Sequence, residues 1–143
     1  MGEGLKALRE GSSLPEVDMR TYSSLSLAYL GDAVFELMVR EALVAKGSVP
    51  VKELHKKATS YVNAGAQAAL ARKIAPLLTE EEEAVLRRGR NAHPPTVAKH
   101  ASISDYRHAT GFEALVGYLY LSGQVERLLT LLQEGIGEVQ SGE

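Results

Sequence analysis

Residues Ser24 to Ala45 read as one long helix that is apolar almost all round. Leu25, Leu27, Leu30, Val34, Phe35, Leu37, Met38, Val39 and Leu43 leave it no broad wet face, and a helix of that kind belongs at the centre of a domain. The pattern predicts a stop at Gly47. Asp32 lies in the middle, directly after Gly31. A glycine costs about 1 kcal/mol in a helix interior, so its presence there implies a packing reason. Asp32, Glu36 and Arg40 recur at four-residue spacing and form one polar stripe. Two readings of that stripe stand: a solvated face on which Glu36 and Arg40 pair, or an internal site that Asp32 faces.

The arrangement recurs near the C-terminus. Residues 111–121 read Gly-Phe-Glu-Ala-Leu-Val-Gly-Tyr-Leu-Tyr-Leu, with Glu113 the only charge and Gly117 one turn later on the same face. A lone carboxylate in a buried helix is costly unless something compensates it. Two of them, each beside a helix glycine, point to two helices in close contact whose carboxylates converge on a divalent cation. Magnesium suits hard oxygen ligands in a chain without sulfur ligands. The alternative, two acids with purely structural roles, stays open on the pattern alone.

The remaining signals are also helical, and the predicted fold class is all-α. Residues 1–20 read as a loose N-terminal arm with a short helix near Leu5–Arg9, and residues 21–143 as one domain. Pro50 opens a second helical region through Leu78, interrupted near Asn63. Thr79 with Glu82 makes a capping box for a third helix ending near Gly89. Asn91 to Ser104 reads as a loop. Helices over about Asp105–Leu121 and Gln124–Glu138 complete the chain. A length of 143 residues suits a single domain with an ordinary core. The absence of cysteine excludes disulfides and thiolate chemistry and fits a reducing compartment. No basic start leads into an apolar leader, and no apolar run approaches the roughly 20 residues that span a bilayer, so a cytoplasmic protein is expected.

The net charge of −2 means that any nucleic-acid contact must come from local clusters. One runs from Arg87 to His108: Arg87, Arg88, Arg90, Lys99 and Arg107, with His93, His100 and His108, against the single acid Asp105. Lys52, Lys56 and Lys57 with His55 form another. Each is either a solvated face or a surface for phosphates. The histidine spacing matches no zinc signature. Tyr106, Tyr118 and Tyr120 read as core or interface, and the apolar excess of Phe35, Met38, Tyr118 and Tyr120 points to a second copy of the chain.

Tyr29-Leu30-Gly31-Asp32-Ala33-Val34 resembles the signature of the ribonuclease III family, and Phe112-Glu113-Ala114-Leu115-Val116-Gly117 its second acidic motif, in matching order and separation. Leu54-His55-Lys56-Lys57, Glu81-Glu82-Glu83-Ala84-Val85-Leu86, Arg88-Gly89-Arg90-Asn91-Ala92 and Tyr106-Arg107 are similar to the Mini-ribonuclease III branch, which lacks a double-stranded-RNA-binding domain. The resemblance covers about Leu25 to Leu132. It implies a ribonuclease III-like helical bundle, with 21–143 as the catalytic domain and Asp32 and Glu113 as catalytic, metal-binding acids. It further implies hydrolysis of double-stranded RNA to 5′-phosphates with Mg2+, which Mn2+ can replace. The expected setting is a homodimer acting on ribosomal RNA (23S precursor), with a ribosomal protein as a further partner. Candidate RNA contacts are Lys56, Lys57, Arg88, Arg90, Asn91, Lys99 and Arg107. Two family acids are missing: the position four before Asp32 is Ala28 and the position three before Glu113 is Thr110. That departure keeps a non-catalytic structured-RNA or ribosome-binding dimer, and a plain helical dimerisation module, as competing readings.

Overall fold

Side-chain caps set the helix boundaries. The computed structural model describes residues 2–12, 18–92 and 102–141, and every regular element among them is helical. These are α1 (Gly2–Gly11), α2 (Ser24–Ala45), α3 (Val51–Tyr61), α4 (Ala64–Ile74), α5 (Glu80–Arg90), α6 (Ile103–Leu121) and α7 (Val125–Ser141), with short 3-10 turns at Met19–Thr21 and Ala75–Leu77. The Ser23 hydroxyl accepts from the Ser26 amide at the start of α2, and Gly47, at φ +140°, follows its end. Asn63 accepts from the Ala66 amide at 2.8 Å and donates to the Thr59 carbonyl, which separates α3 from α4. Thr79 and Glu82 form both halves of the predicted capping box. Ser102 caps α6, so that helix starts inside the segment expected to be loop.

The most central helix is α6, not α2. It packs against α2, α4 and α5, and every residue from Ala109 to Leu119 is buried except Glu113, which is half-buried. Phe112 meets Phe35 of α2 edge to face, with ring centroids 5.0 Å apart. Glycines explain the exchange of places. A Cβ on Gly111 would lie 2.6 Å from the Leu86 carbonyl oxygen, and one on Gly117 would lie 2.1 Å from that of Leu27. Thus α6 accepts a helix backbone against each of two faces, whereas α2 is covered on one side only. Its outer flank keeps Tyr29, Ala33, Leu37 and Val44 in solvent. Helix α5 ends at Arg90, near Gly89 as expected, and a Cβ on Gly89 would lie 2.8 Å from that of Ala114 and 2.9 Å from the Gly111 Cα.

Two further expectations change. The N-terminal arm holds a helix of ten residues rather than a short one, and it is docked: Leu5 is buried, α1 touches α7, and the Arg9 guanidinium donates twice to the Leu121 carbonyl, at 2.8 and 3.2 Å. The residues singled out as apolar excess are taken up by one copy of the chain. Phe35, Met38 and Tyr118 are buried in it, and Tyr120 packs against its core. Elsewhere the α5–α7 contact is tied by Arg127, which donates to both Glu82 carboxylate oxygens and to the Leu77 carbonyl, each at 2.8 Å. That guanidinium, before any other cause, holds the buried Glu82 carboxyl below its ordinary value.

Candidate active site

The crossing of α2 and α6 brings the two expected acids together. A Cβ on Gly31 would sit 1.8 Å from the Glu113 carbonyl oxygen and 2.8 Å from the Gly117 amide nitrogen, so the helices meet backbone on backbone. Asp32 and Glu113 are the residues at this contact that carry charge. The Asp32 carboxylate lies near enough to Glu113 to act on its titration. Glu113 is pushed from 4.5 up to about 8, by burial first and then by the hydrogen bond to Asp32 and its negative charge. A nearby amide, that of Gln67 on α4, acts in the opposite direction.

Burial differs from the expected picture. Asp32 does not face an interior; it is exposed on α2. Glu113, on the more deeply packed helix, is half-buried. The pair forms a shelf open to solvent on one side, which a polymer can approach. Glu36 is engaged by Arg40 at 3.0 Å, so that part of the stripe is the solvated ion pair of the plainer reading. The positions of the two missing acids offer no other ligand: Ala28 is buried, and buried Thr110 donates its hydroxyl to the Tyr106 carbonyl at 3.0 Å. Among the described residues no third aspartate, glutamate or histidine joins the pair. Two carboxylates fit Mg2+, which is commonly held by one or two protein carboxylates with water and substrate phosphate completing its shell. The raised Glu113 value reflects the same need: close like charges favour a cation between them.

Gln67 escaped the sequence reading. Its side chain is 4% exposed and faces Glu113 from α4. The signal that could have found it is the one that marked Glu113. It is the only polar residue between Ala64 and Ala71, in Ala-Gly-Ala-Gln-Ala-Ala-Leu-Ala.

The basic candidates are not gathered at the acids. Lys56 and Lys57 are exposed on α3, with Lys57 4.0 Å from Glu53, and α3 packs near Leu43 of α2, about 16 Å along the helix from Asp32. Arg88 and Asn91 are exposed and Arg90 half-buried at the end of α5. That helix meets α6 through Gly111, about 200° around the helix from Glu113. Arg107 is exposed on the first turns of α6, while Arg87 pairs with Glu83. Lys99, with His93 and His100, lies outside the described residues. None of the described candidates touches the acid pair.

The family model described as Ribonuclease III domain matches residues 25–124. The chain is 50% identical over 123 residues to Mini-ribonuclease 3 of Symbiobacterium thermophilum, covering 86% of this chain and 95% of that one. It is 47% identical to Mini-ribonuclease 3 of Enterococcus faecalis, over 85% of this chain and 94% of the relative. A crystal structure of a Fusobacterium nucleatum protein, 31% identical, superposes with a TM-score of 0.80 over 88% of this chain and 98% of that one. No described helix is long and apolar enough to cross a membrane.

Proposed function

The chain belongs to the ribonuclease III family, and from that premise we propose that it is a magnesium-dependent endoribonuclease that cuts double-stranded RNA, with ribosomal RNA precursor as its substrate class. The observation that carries the reading is the pairing of exposed Asp32 with half-buried Glu113 across the glycine contact of α2 and α6. The two carboxylates hold the metal. When bound, magnesium supplies an activated water and neutralises charge on the scissile phosphate. Asp32 is the accessible ligand, and Glu113 is fixed by the packing of α6. Glu113 must release a proton to become a ligand, so metal binding is expected to strengthen as pH rises toward 8. Lys56, Lys57, Arg88, Arg90, Asn91, Lys99 and Arg107 contact phosphates at a distance from the cut. A duplex read through its shape and backbone needs few base-stacking aromatics.

A second copy completes the enzyme, because a duplex presents two strands and one chain carries one acid pair. Tyr29, Ala33, Leu37 and Val44 supply the surface: an apolar stripe along the outer flank of α2, with Tyr29 85% and Val44 61% exposed. An exposed apolar patch of this kind suits a two-fold dimer, in which the same surface of each copy meets its mate. Light scattering at micromolar concentration is expected to give twice the chain mass, and Leu37→Lys to return it to the monomer; a monomeric parent would remove the dimer from the reading.

The test of activity is a gel assay on labelled duplex RNA. Cleavage in Mg2+ and a retarded complex without cleavage in Ca2+ are expected. A complex in both metals with no cleavage would leave a structured-RNA-binding protein instead, and neither outcome would leave a helical dimerisation module.

A further inference from the structure

One buried polar side chain is left over by the fold. Among the described residues, the Nε2 of Gln67 is the buried side-chain atom without a well-formed hydrogen bond. A buried donor left unmatched is costly, and native folds keep such groups where something other than stability is served. Gln67 lies on the buried face of α4, with Ala68, Leu70, Ala71 and Ile74, and that helix packs against α6. Its neighbours in the chain are apolar, and the polar group it faces is the Glu113 carboxyl.

We propose that Gln67 is a positioning residue for Glu113: its Nε2 donates to the ionised carboxylate and fixes the orientation in which Glu113 and Asp32 share a cation. The inference rests on the reading of Asp32 and Glu113 as the metal-binding pair. Gln67 is not itself a ligand or a catalytic residue, since it is enclosed between helices while the open side of the site lies at Asp32. A neutral amide suits this place. A third carboxylate beside two others would add repulsion, whereas an amide donor orders the carboxylate without adding charge. With Ala28 and Thr110 buried and unable to add ligands, the site depends on the geometry of two carboxylates, and a donor that locks one of them matters more than it would among four. Groups that orient metal ligands by hydrogen bonding typically change affinity or activity 10–100-fold when removed, roughly the effect expected here.

The test compares Gln67→Met, which keeps the length and removes the donor, with the parent and with Glu113→Gln. Three quantities are read on each protein: melting temperature without metal, Mn2+ affinity by calorimetry without RNA, and duplex cleavage against Mg2+ concentration. Gln67→Met is expected to melt at or above the parent temperature, because an orphan buried donor is gone, yet to bind Mn2+ about 10-fold more weakly. Its cleavage should fall by about 10–100-fold at limiting Mg2+ and recover in part at saturation. Unchanged Mn2+ affinity in a folded Gln67→Met protein overturns the inference. So does a lowered melting temperature with parent-like affinity and cleavage, which marks a structural residue. If Glu113→Gln abolishes metal binding while Gln67→Met leaves it intact, the inference fails and the reading of the site stands. If Glu113→Gln still binds metal and cuts, both fall. Should Gln67→Met not fold, the side-chain amide resonances of Gln67 in the parent decide. They are expected to shift on adding Ca2+ and to lose that response in Glu113→Gln; resonances indifferent to both changes overturn the inference.

Discussion

Asp32→Asn is expected to fold, to bind duplex RNA, and to cut it several orders of magnitude more slowly than the parent. The substitution keeps the shape of the side chain and removes one of the two charges proposed to hold the cation. Because Asp32 is exposed, no desolvated partner is stranded by the change. RNA binding is expected to survive, since the described basic residues proposed to meet phosphates lie away from the acid pair. The metal-free protein also reports on the pair. Glu113 holds a folded-state value of about 8 against an ordinary 4.5, so between those values the folded chain binds more protons than the unfolded one. The sign follows: this group's stabilisation is fully present below 4.5 and is lost as pH rises through 8, at a slope of at most about 1.4 kcal/mol per pH unit. Removing the Asp32 charge should make that loss shallower and raise metal-free stability near neutral pH. Urea unfolding in a chelator from pH 5 to 8, with cleavage and gel shift on the same samples, separates the outcomes. A well-folded Asp32→Asn protein that cuts near the parent rate would remove Asp32 from the chemistry. A strongly destabilised one would make it a structural acid.

Gly31→Ala is expected to abolish the native fold. Its added carbon would stand 1.8 Å from the Glu113 carbonyl oxygen and 2.8 Å from both the Glu113 carbonyl carbon and the Gly117 amide nitrogen. All three are backbone atoms inside α6, so no flexible side chain can swing aside, and the helices must part. Gly117→Ala meets the Leu27 carbonyl oxygen at 2.1 Å and should behave the same way. Overpacking costs above about 4 kcal/mol are exceptional for one substitution, and a clash of backbone against backbone is a cause sufficient for one. Gly4→Ala is the control. Nothing lies within 4 Å of its added carbon, and alanine should stabilise α1 by about 0.5–1 kcal/mol. Circular dichroism melts of the three proteins check this. A Gly31→Ala protein with a parent-like melting temperature would mean that α2 and α6 are not in backbone contact, and the shared acid site would fall with that contact.

By itself the sequence determined much of the local structure and marked the two acids that the fold brings together. Thr79 and Glu82 cap α5, Asn63 breaks one helical stretch into two, and Gly31 and Gly117 mark the faces that meet. Caps, breaks and lone polar residues in apolar runs are signals carried within a few residues, so they are legible one helix at a time. Tertiary structure alone decided which apolar helix became the centre. Both α2 and α6 are rich in leucine and valine, but α6 has glycines on two faces and so takes a neighbour against each, leaving Tyr29, Leu37 and Asp32 of α2 in solvent. The same packing made Gly89 a contact residue as well as a neighbour of the helix end, and buried Leu5 of an arm that reads as loose. It also set Gln67, from a third helix, against Glu113. The exposure of a side chain depends on which distant segments cover it, and periodicity within one helix carries no information about them.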